Sequence, residues 1–261
     1  VTSLDPALLA DLEKLAGVDR LLVTLDFDGT LAPFVDEPEH ARALPAAHDA
    51  VLRLLQTQGT RVALISGRAL GSLEIVAGLP DNTLLVGSHG VELRLDSEPL
   101  VSLSDEELRQ RMALERVLGG IADSVDQVWL ETKPAGFALH TRLATEENSR
   151  IAHQMALSQV QAEVENYTVR EGKNVLEFSV RSATKGEAIE HLRRYTEADA
   201  VLFAGDDVTD EDGFAALRDG DFGLKSGPGE TLANHRVPGP EDVAEVLEEL
   251  ASLRESRSLE G

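Results

Sequence analysis

Asp26-Phe27-Asp28-Gly29-Thr30 directly follows the apolar run Leu21–Leu25. That order puts two carboxylates, a turn-forming glycine and a hydroxyl at the carboxyl end of a predicted buried strand, where open α/β sheets bind ligands. An aspartate pair there can supply a nucleophile, a proton donor and acceptor, and oxygen ligands for a hard cation such as Mg²⁺. A second acidic run, Gly205-Asp206-Asp207-Val208-Thr209-Asp210-Glu211-Asp212, follows the apolar residues 201–204. Ser66-Gly67-Arg68 follows another apolar run at 61–65, and a hydroxyl with the backbone amides after it suits a phosphate oxygen. Lys185 opens a predicted helix just after Thr184. An ammonium in the first turn opposes the helix dipole, so a task outside the helix is expected for it.

The elements that must position these groups read as follows. Asp5-Pro6 is an N-cap and first helical residue, with Leu8, Leu9, Leu12 and Leu15 on one face. Apolar strands at 21–25, 61–65, 83–87 and 201–204 are separated by amphipathic helices, which predicts a parallel sheet covered on both faces. The middle of the chain differs. A helix from Asp105 to about Ile121, β-rich runs at 128–133 and 137–142, a helix over 146–165 and a strand pair at 167–170 and 175–180 form an α+β pattern. The predicted fold class is therefore α/β, a doubly wound parallel-sheet core (1–106 and 183–261) with a smaller α+β domain (107–182) inserted. The last helix carries Val243, Val246, Leu247, Leu250 and Leu253, and residues 254–261, lacking an apolar face, are predicted to fray.

Composition excludes several function classes. The 261 residues carry 24 Lys and Arg against 47 Asp and Glu, a net charge of −23, and 4% aromatics. Such a surface repels nucleic acid and anionic membranes and offers no base-stacking platform. No apolar run reaches the roughly 18–20 residues of a membrane span, and no secretory signal is visible. The absence of cysteine removes thiolate chemistry and fits a reducing compartment, so a cytoplasmic monomer acting on a small molecule is expected. Local cations, backbone N–H groups and a metal must then hold any anionic substrate.

Taken together and in this order, the four stations resemble the haloacid dehalogenase-like (HAD) phosphohydrolase superfamily. The resemblance implies a Rossmann-like core and an inserted cap. It makes Asp26 the nucleophile that forms an aspartyl-phosphate and Asp28 the general acid and base. Thr30, Ser66, Gly67 and Lys185 would bind the phosphoryl group. Mg²⁺ would be held by the Asp26 carboxylate, the Asp28 backbone carbonyl and Asp206, with Asp207 and Asp210 supporting.

Three further segments are similar to the trehalose-6-phosphate phosphatases: Glu131-Thr132-Lys133 through Arg142, Gly172-Lys173-Asn174-Val175-Leu176-Glu177, and Gly87-Ser88-His89-Gly90. By that match Glu131, Lys133 and Glu177 would bind sugar hydroxyls, with Arg68, His89 and Arg142 also contacting substrate. Strand alternation puts Glu131 with Lys133, and His140 with Arg142, on common faces. Ser88 stands where the family commonly has asparagine, a small departure because a serine hydroxyl can still bond the loop backbone. The length predicts a stand-alone phosphatase without a fused synthase domain. The implied reaction is Mg²⁺-dependent hydrolysis of trehalose 6-phosphate; the alternatives are another sugar phosphate such as sucrose 6-phosphate, or a non-catalytic sugar-phosphate-binding module.

Overall fold

In the computed structural model, the described residues are 4–35, 37–96, 103–172, 174–181 and 183–260, with residues 258–260 described by backbone alone. Lys173 of the sequence reading lies outside them. The chain divides into two compact units, Val1–Leu100 with Ala183–Gly261, and Val101–Ser182.

The first unit opens with α1 (Pro6–Ala16), whose N-cap Asp5 accepts from the amides of Ala7 and Leu8. Then come β1 (Leu21–Leu25), α2 (Pro45–Gln56), β2 (Thr60–Ile65), α3 (Leu70–Ala77), β3 (Leu84–Gly87) and β4 (Glu92–Arg94). The inserted unit contains α4 (Asp105–Ser124), β5 (Trp129–Lys133), β6 (Gly136–His140), α5 (Glu146–Glu163), β7 (Thr168–Gly172) and β8 (Val175–Ser179). The first unit resumes with α6 (Lys185–Thr196), β9 (Ala200–Gly205), α7 (Glu211–Ala215), β10 (Phe222–Ser226), β11 (His235–Val237) and α8 (Pro240–Glu260).

The larger sheet has the order β11-β10-β9-β1-β2-β3-β4, parallel throughout except that β4 runs antiparallel to β3. Every residue of β1 and β9 is buried, as a strand covered on both faces requires. Thr24, the one hydroxyl in β1, donates to the Leu202 carbonyl and so has its own donor met. Crossovers leave β1 toward β2 on one side and return to β9 on the other. The strand order thus reverses between β1 and β9, which creates the crevice in which such sheets bind ligands.

The inserted unit folds a four-stranded antiparallel sheet, β5-β6-β8-β7. Phe137, Leu139, Leu176 and Phe178 alternate along β6 and β8 and are buried on one face, together with Leu114, Leu118 and Ile121 of α4 and Ala152, Ala156 and Val160 of α5. Alternation turns Glu131, Lys133, His140 and Glu177 to the other face. Arg111 of α4 lies over the Phe137 ring and donates to the carbonyls of Lys133 and Pro134, which pins the β5–β6 turn.

Two expectations need correction. The predicted strand through residue 142 ends at His140, so Arg142 stands in the following turn with its guanidinium over the Trp129 ring. The predicted fraying from residue 254 does not occur. Helix α8 continues to Glu260, and Arg254 is buried with its guanidinium donating to the carbonyls of Ala16, Val18 and Gln58 and to the Thr60 hydroxyl. A buried arginine that closes a ring of carbonyls stabilises a helix end without any apolar stripe.

Candidate active site

The first and fourth stations meet at the carboxyl ends of β1 and β9. Asp26 donates its amide to the Ala204 carbonyl, continuing the β1–β9 pairing one residue beyond the end of β1. Gly29 turns the chain back with φ +81°, a conformation that favours glycine. A side chain there would also collide, since a Cβ would lie 2.2 Å from Oδ2 of Asp206. The two acidic loops therefore touch backbone against carboxylate. Thr30 donates to Oδ1 of Asp206 at 3.4 Å.

Lys185 joins them. Its Nζ donates to Oδ1 of Asp26 at 2.7 Å and to Oδ1 of Asp210 at 2.6 Å. Thr184 and Glu187 form a capping box, so the helix start is satisfied locally and the ammonium is free to leave it. Asp210 uses its other oxygen to accept the amides of Asp206 and Asp207, both at 2.9 Å, which shapes the loop after β9. Asp26, Asp210 and Lys185 are all buried.

The charges here do not balance. Burial, the largest effect, pushes the Asp26 carboxyl well above the usual carboxylate range; Lys185 opposes this, and Asp210 and Asp206 add to it. Burial likewise raises Asp206. Burial also works against the Lys185 ammonium, but Asp26 and Asp210 outweigh it and hold the ammonium above its ordinary value. Asp26, Asp206 and Asp210 each offer an oxygen within 4.8 Å of the others, three carboxylates against one ammonium. Asp210 is already engaged by three donors, which leaves Asp26 and Asp206 to face a cation. An all-oxygen donor set with surplus negative charge suits a hard divalent ion. Asp207 stands apart from this group, exposed, with its carboxylate accepting the Val208 amide.

The second station begins at Ser66, buried after β2, whose hydroxyl accepts the Arg68 amide at 3.1 Å. Arg68 turns back to Asp28, with Nε donating to Oδ2 at 2.5 Å and Nη2 to Oδ1 at 2.6 Å, while Nη1 reaches the Pro38 carbonyl. A residue read as a substrate contact thus holds the carboxylate read as the proton shuttle. His89 lies against Gly67, where a Cβ would fall 2.6 Å from its Nε2, and its amide bonds the Ser66 carbonyl. The Ser88 hydroxyl is turned to a carboxylate. It donates to Glu92 at 2.6 Å, and Glu92 also accepts the Leu70 amide at the start of α3.

In the inserted unit, the register aligns Glu131 with Ala138 and Ala138 with Glu177, so both carboxylates share one row across the sheet. Lys133 Nζ bonds Glu131 at 2.7 Å, and His140 Nε2 lies 2.8 Å from its other oxygen. Burial works to raise Glu131, yet the bonds from Lys133 and His140 prevail and hold it below the ordinary range. His140 stacks on Trp129 at 4.9 Å, with Arg142 over the same indole. Arg142 also lines a polar cavity of about 470 Å³ with Arg150, His153, Glu171 and Asn174.

Sequence reasoning missed Lys225 and Ser226 at the end of β10. Gly223 interrupts the short run Phe222–Ser226, which hides the strand. The usable signal was a lysine inside an apolar run downstream of an acidic cluster.

A family profile for trehalose-phosphatase matches residues 24–247. The chain is 32% identical over 244 residues to the trehalose-6-phosphate phosphatase of Escherichia coli, covering 89% of this chain and 87% of that protein. It is 33% identical over 239 residues to the bifunctional trehalose-6-phosphate synthase/phosphatase of Thermoproteus tenax, covering 90% of this chain and 32% of that relative, so it spans about a third of that protein's length. Among solved structures, the trehalose-6-phosphate phosphatase of Aspergillus fumigatus superposes with a TM-score of 0.72 at 26% identity, over 96% of this chain and 98% of that one. Among the described residues, no helix is long and apolar enough to cross a membrane.

Proposed function

The chain belongs to the trehalose-phosphatase family, and we propose that it hydrolyses trehalose 6-phosphate to trehalose and phosphate through an aspartyl-phosphate on Asp26, with Mg²⁺ as cofactor. The observation that carries this reading is the buried Lys185 ammonium bridging Asp26 and Asp210 at the switch point of the sheet. A carboxylate that attacks a phosphate dianion needs fixed positive charge beside it, and phosphoryl transfer depends chiefly on such positioning and neutralisation.

In the first step an Asp26 oxygen bonds phosphorus as the bond from phosphorus to the sugar oxygen breaks. Asp28, protonated, gives its proton to that departing oxygen. In the second step water attacks phosphorus, Asp28 takes the water's proton, and the bond to Asp26 breaks to restore both residues. Ser66, the Gly67 amide and Lys185 hold the phosphoryl oxygens. Asp26 and Asp206 would hold Mg²⁺, assisted by Asp210 through the loop amides, and the ion would supply further neutralisation of the transferring group. Glu131, Lys133 and Glu177 supply hydrogen-bonding partners for sugar hydroxyls, a role supported by their common sheet face.

Phosphate release from a panel of trehalose 6-phosphate, sucrose 6-phosphate, glucose 6-phosphate and p-nitrophenyl phosphate, with Mg²⁺ and with a chelator, tests the reading. Preferred turnover of trehalose 6-phosphate that disappears with the chelator is expected. Preference for a monosaccharide ester would overturn the substrate, and equal rates in the chelator would overturn the metal.

A further inference from the structure

We infer that Lys225 and Ser226 at the end of β10 are positioning residues for the cation site, joining its two acidic loops from behind. This rests on the reading above, in which Asp26 and Asp206 hold Mg²⁺.

Lys225 is 4% exposed, and burying an ammonium costs several kcal/mol unless its donors are well used. They are used on backbone. Nζ donates to the Asp206 carbonyl at 2.7 Å and lies 3.4 Å from both the Asp207 carbonyl and Oε1 of Glu211. Asp210 already accepts the amides of Asp206 and Asp207. The Asp206-Asp207 segment is therefore held on its donor side by Asp210 and on its acceptor side by Lys225. Its conformation is set by partners that touch neither oxygen of the Asp206 carboxylate.

Ser226 extends this to the other loop. Consecutive strand residues point in opposite directions, and the Ser226 hydroxyl donates to the Gly29 carbonyl at 2.8 Å. Strand β10 pairs with β9 and not with β1, so this bond reaches past the neighbouring strand to the loop that follows Asp26 and Asp28. Gly29 is also the residue whose Cα faces Oδ2 of Asp206. Two adjacent side chains thus fix the backbone of both acidic loops where they meet.

Charge and geometry make opposite forecasts for Lys225. As a mere neighbouring cation it would repel Mg²⁺, and its removal would tighten binding. As a support for the ligating loop its removal weakens binding, by the 10- to 100-fold typical of groups that orient metal ligands. Calorimetric titration of Mg²⁺ into the substrate-free protein separates them, with melting temperature in chelator recorded alongside. Lys225→Met is expected to raise the Mg²⁺ dissociation constant at least about tenfold, and Ser226→Ala about threefold. An unchanged or tighter constant for Lys225→Met overturns the inference, even if the melting temperature falls, because that pattern belongs to a purely structural lysine. Should Lys225→Met fail to fold, Ser226→Ala decides alone, and an unchanged constant again overturns it. A wild-type protein that binds no Mg²⁺ removes the metal reading and the inference together, whereas equal binding by wild type and variants removes only the inference.

Discussion

Arg68 donates to both oxygens of Asp28, through Nε at 2.5 Å and Nη2 at 2.6 Å, in a side-on two-pronged pair. Such pairs fix orientation as well as charge. A carboxyl group cannot give up a proton while both oxygens accept from a guanidinium. One prong must release for Asp28 to act as an acid, and Arg68 sets where the other oxygen points. The consequence is a leaving-group effect. Arg68→Ala is expected to lower kcat for trehalose 6-phosphate about 10- to 100-fold, less than the roughly 10²–10⁴ a general acid supplies because Asp28 itself remains. Hydrolysis of p-nitrophenyl phosphate, whose leaving group needs no proton, should fall less than about threefold. Parallel losses on both esters would show that Arg68 does not work through Asp28.

Removing Lys185 tests the charge balance of the buried cluster. Lys185→Met leaves Asp26 and Asp210 facing each other without their shared ammonium. Stripping one partner from a buried ion pair costs about 3–5 kcal/mol. Turnover should fall by about 10²–10³, the scale for losing one stabilising donor at a reacting centre. Asp26→Asn, by contrast, keeps an acceptor for Lys185 and relieves the surplus negative charge. It should abolish turnover while leaving the melting temperature in chelator unchanged or higher. A marked loss of stability in Asp26→Asn would mean that the charged carboxylate is needed for folding.

How far the sequence exposed these features depended on how local their causes are. Asp26, Ser66 and Asp206 each follow an apolar strand, and strand, turn and polar residue lie within a few positions, so the motif and its place in the fold were both legible. The Arg68–Asp28 pair spans 40 residues and the contact of Ser226 with Gly29 spans 197. Nothing local to Arg68 or Ser226 points to either partner. The fraying expected from residue 254 failed for the same reason. Periodicity registers apolar stripes, and Arg254 is held by polar bonds to carbonyls more than 190 residues away in sequence.

Arg254 itself is open to test. Arg254→Leu keeps much of the side-chain volume but takes its donor from the Gln58 carbonyl and leaves those of Ala16 and Val18 with the Arg257 guanidinium alone. Unsatisfied buried acceptors cost about 1–3 kcal/mol each, and partial rehydration reduces the sum. A total loss of about 2–4 kcal/mol is expected, or roughly 5–10 °C in melting temperature for a chain of this size. Thermal unfolding by circular dichroism checks it, and a shift below about 2 °C would show that the ring of bonds contributes little.

Selection of the sugar should reside in the paired carboxylates of the inserted sheet. Glu131→Gln and Glu177→Gln each keep shape and one acceptor while removing the charge that strengthens bonds from hydroxyl donors. Each is expected to raise KM for trehalose 6-phosphate about tenfold and to leave p-nitrophenyl phosphate kinetics within about twofold of wild type, because that ester has no hydroxyls to read. Equal effects on both esters would remove these residues from substrate recognition.

Glu131 also carries a pH signature whose sign follows from its partners. Lys133 and His140 hold its carboxyl below the ordinary value of 4.5 despite the opposing effect of burial. A folded-state value depressed below the unfolded one means that the unfolded chain binds the proton more readily. The stabilisation is therefore complete above about pH 4.5, where both states are ionised, and is lost as pH falls through the folded value. Glu131 is 45% exposed at its side chain, so solvent limits the effect to at most about 1 kcal/mol. Wild type and Glu131→Gln should accordingly differ most in stability between pH 5 and 7 and converge toward pH 3. Chemical denaturation across that range measures it. A difference that grows toward acid would mean that the carboxyl is raised on folding, and that burial outweighs Lys133 and His140 on this sheet face.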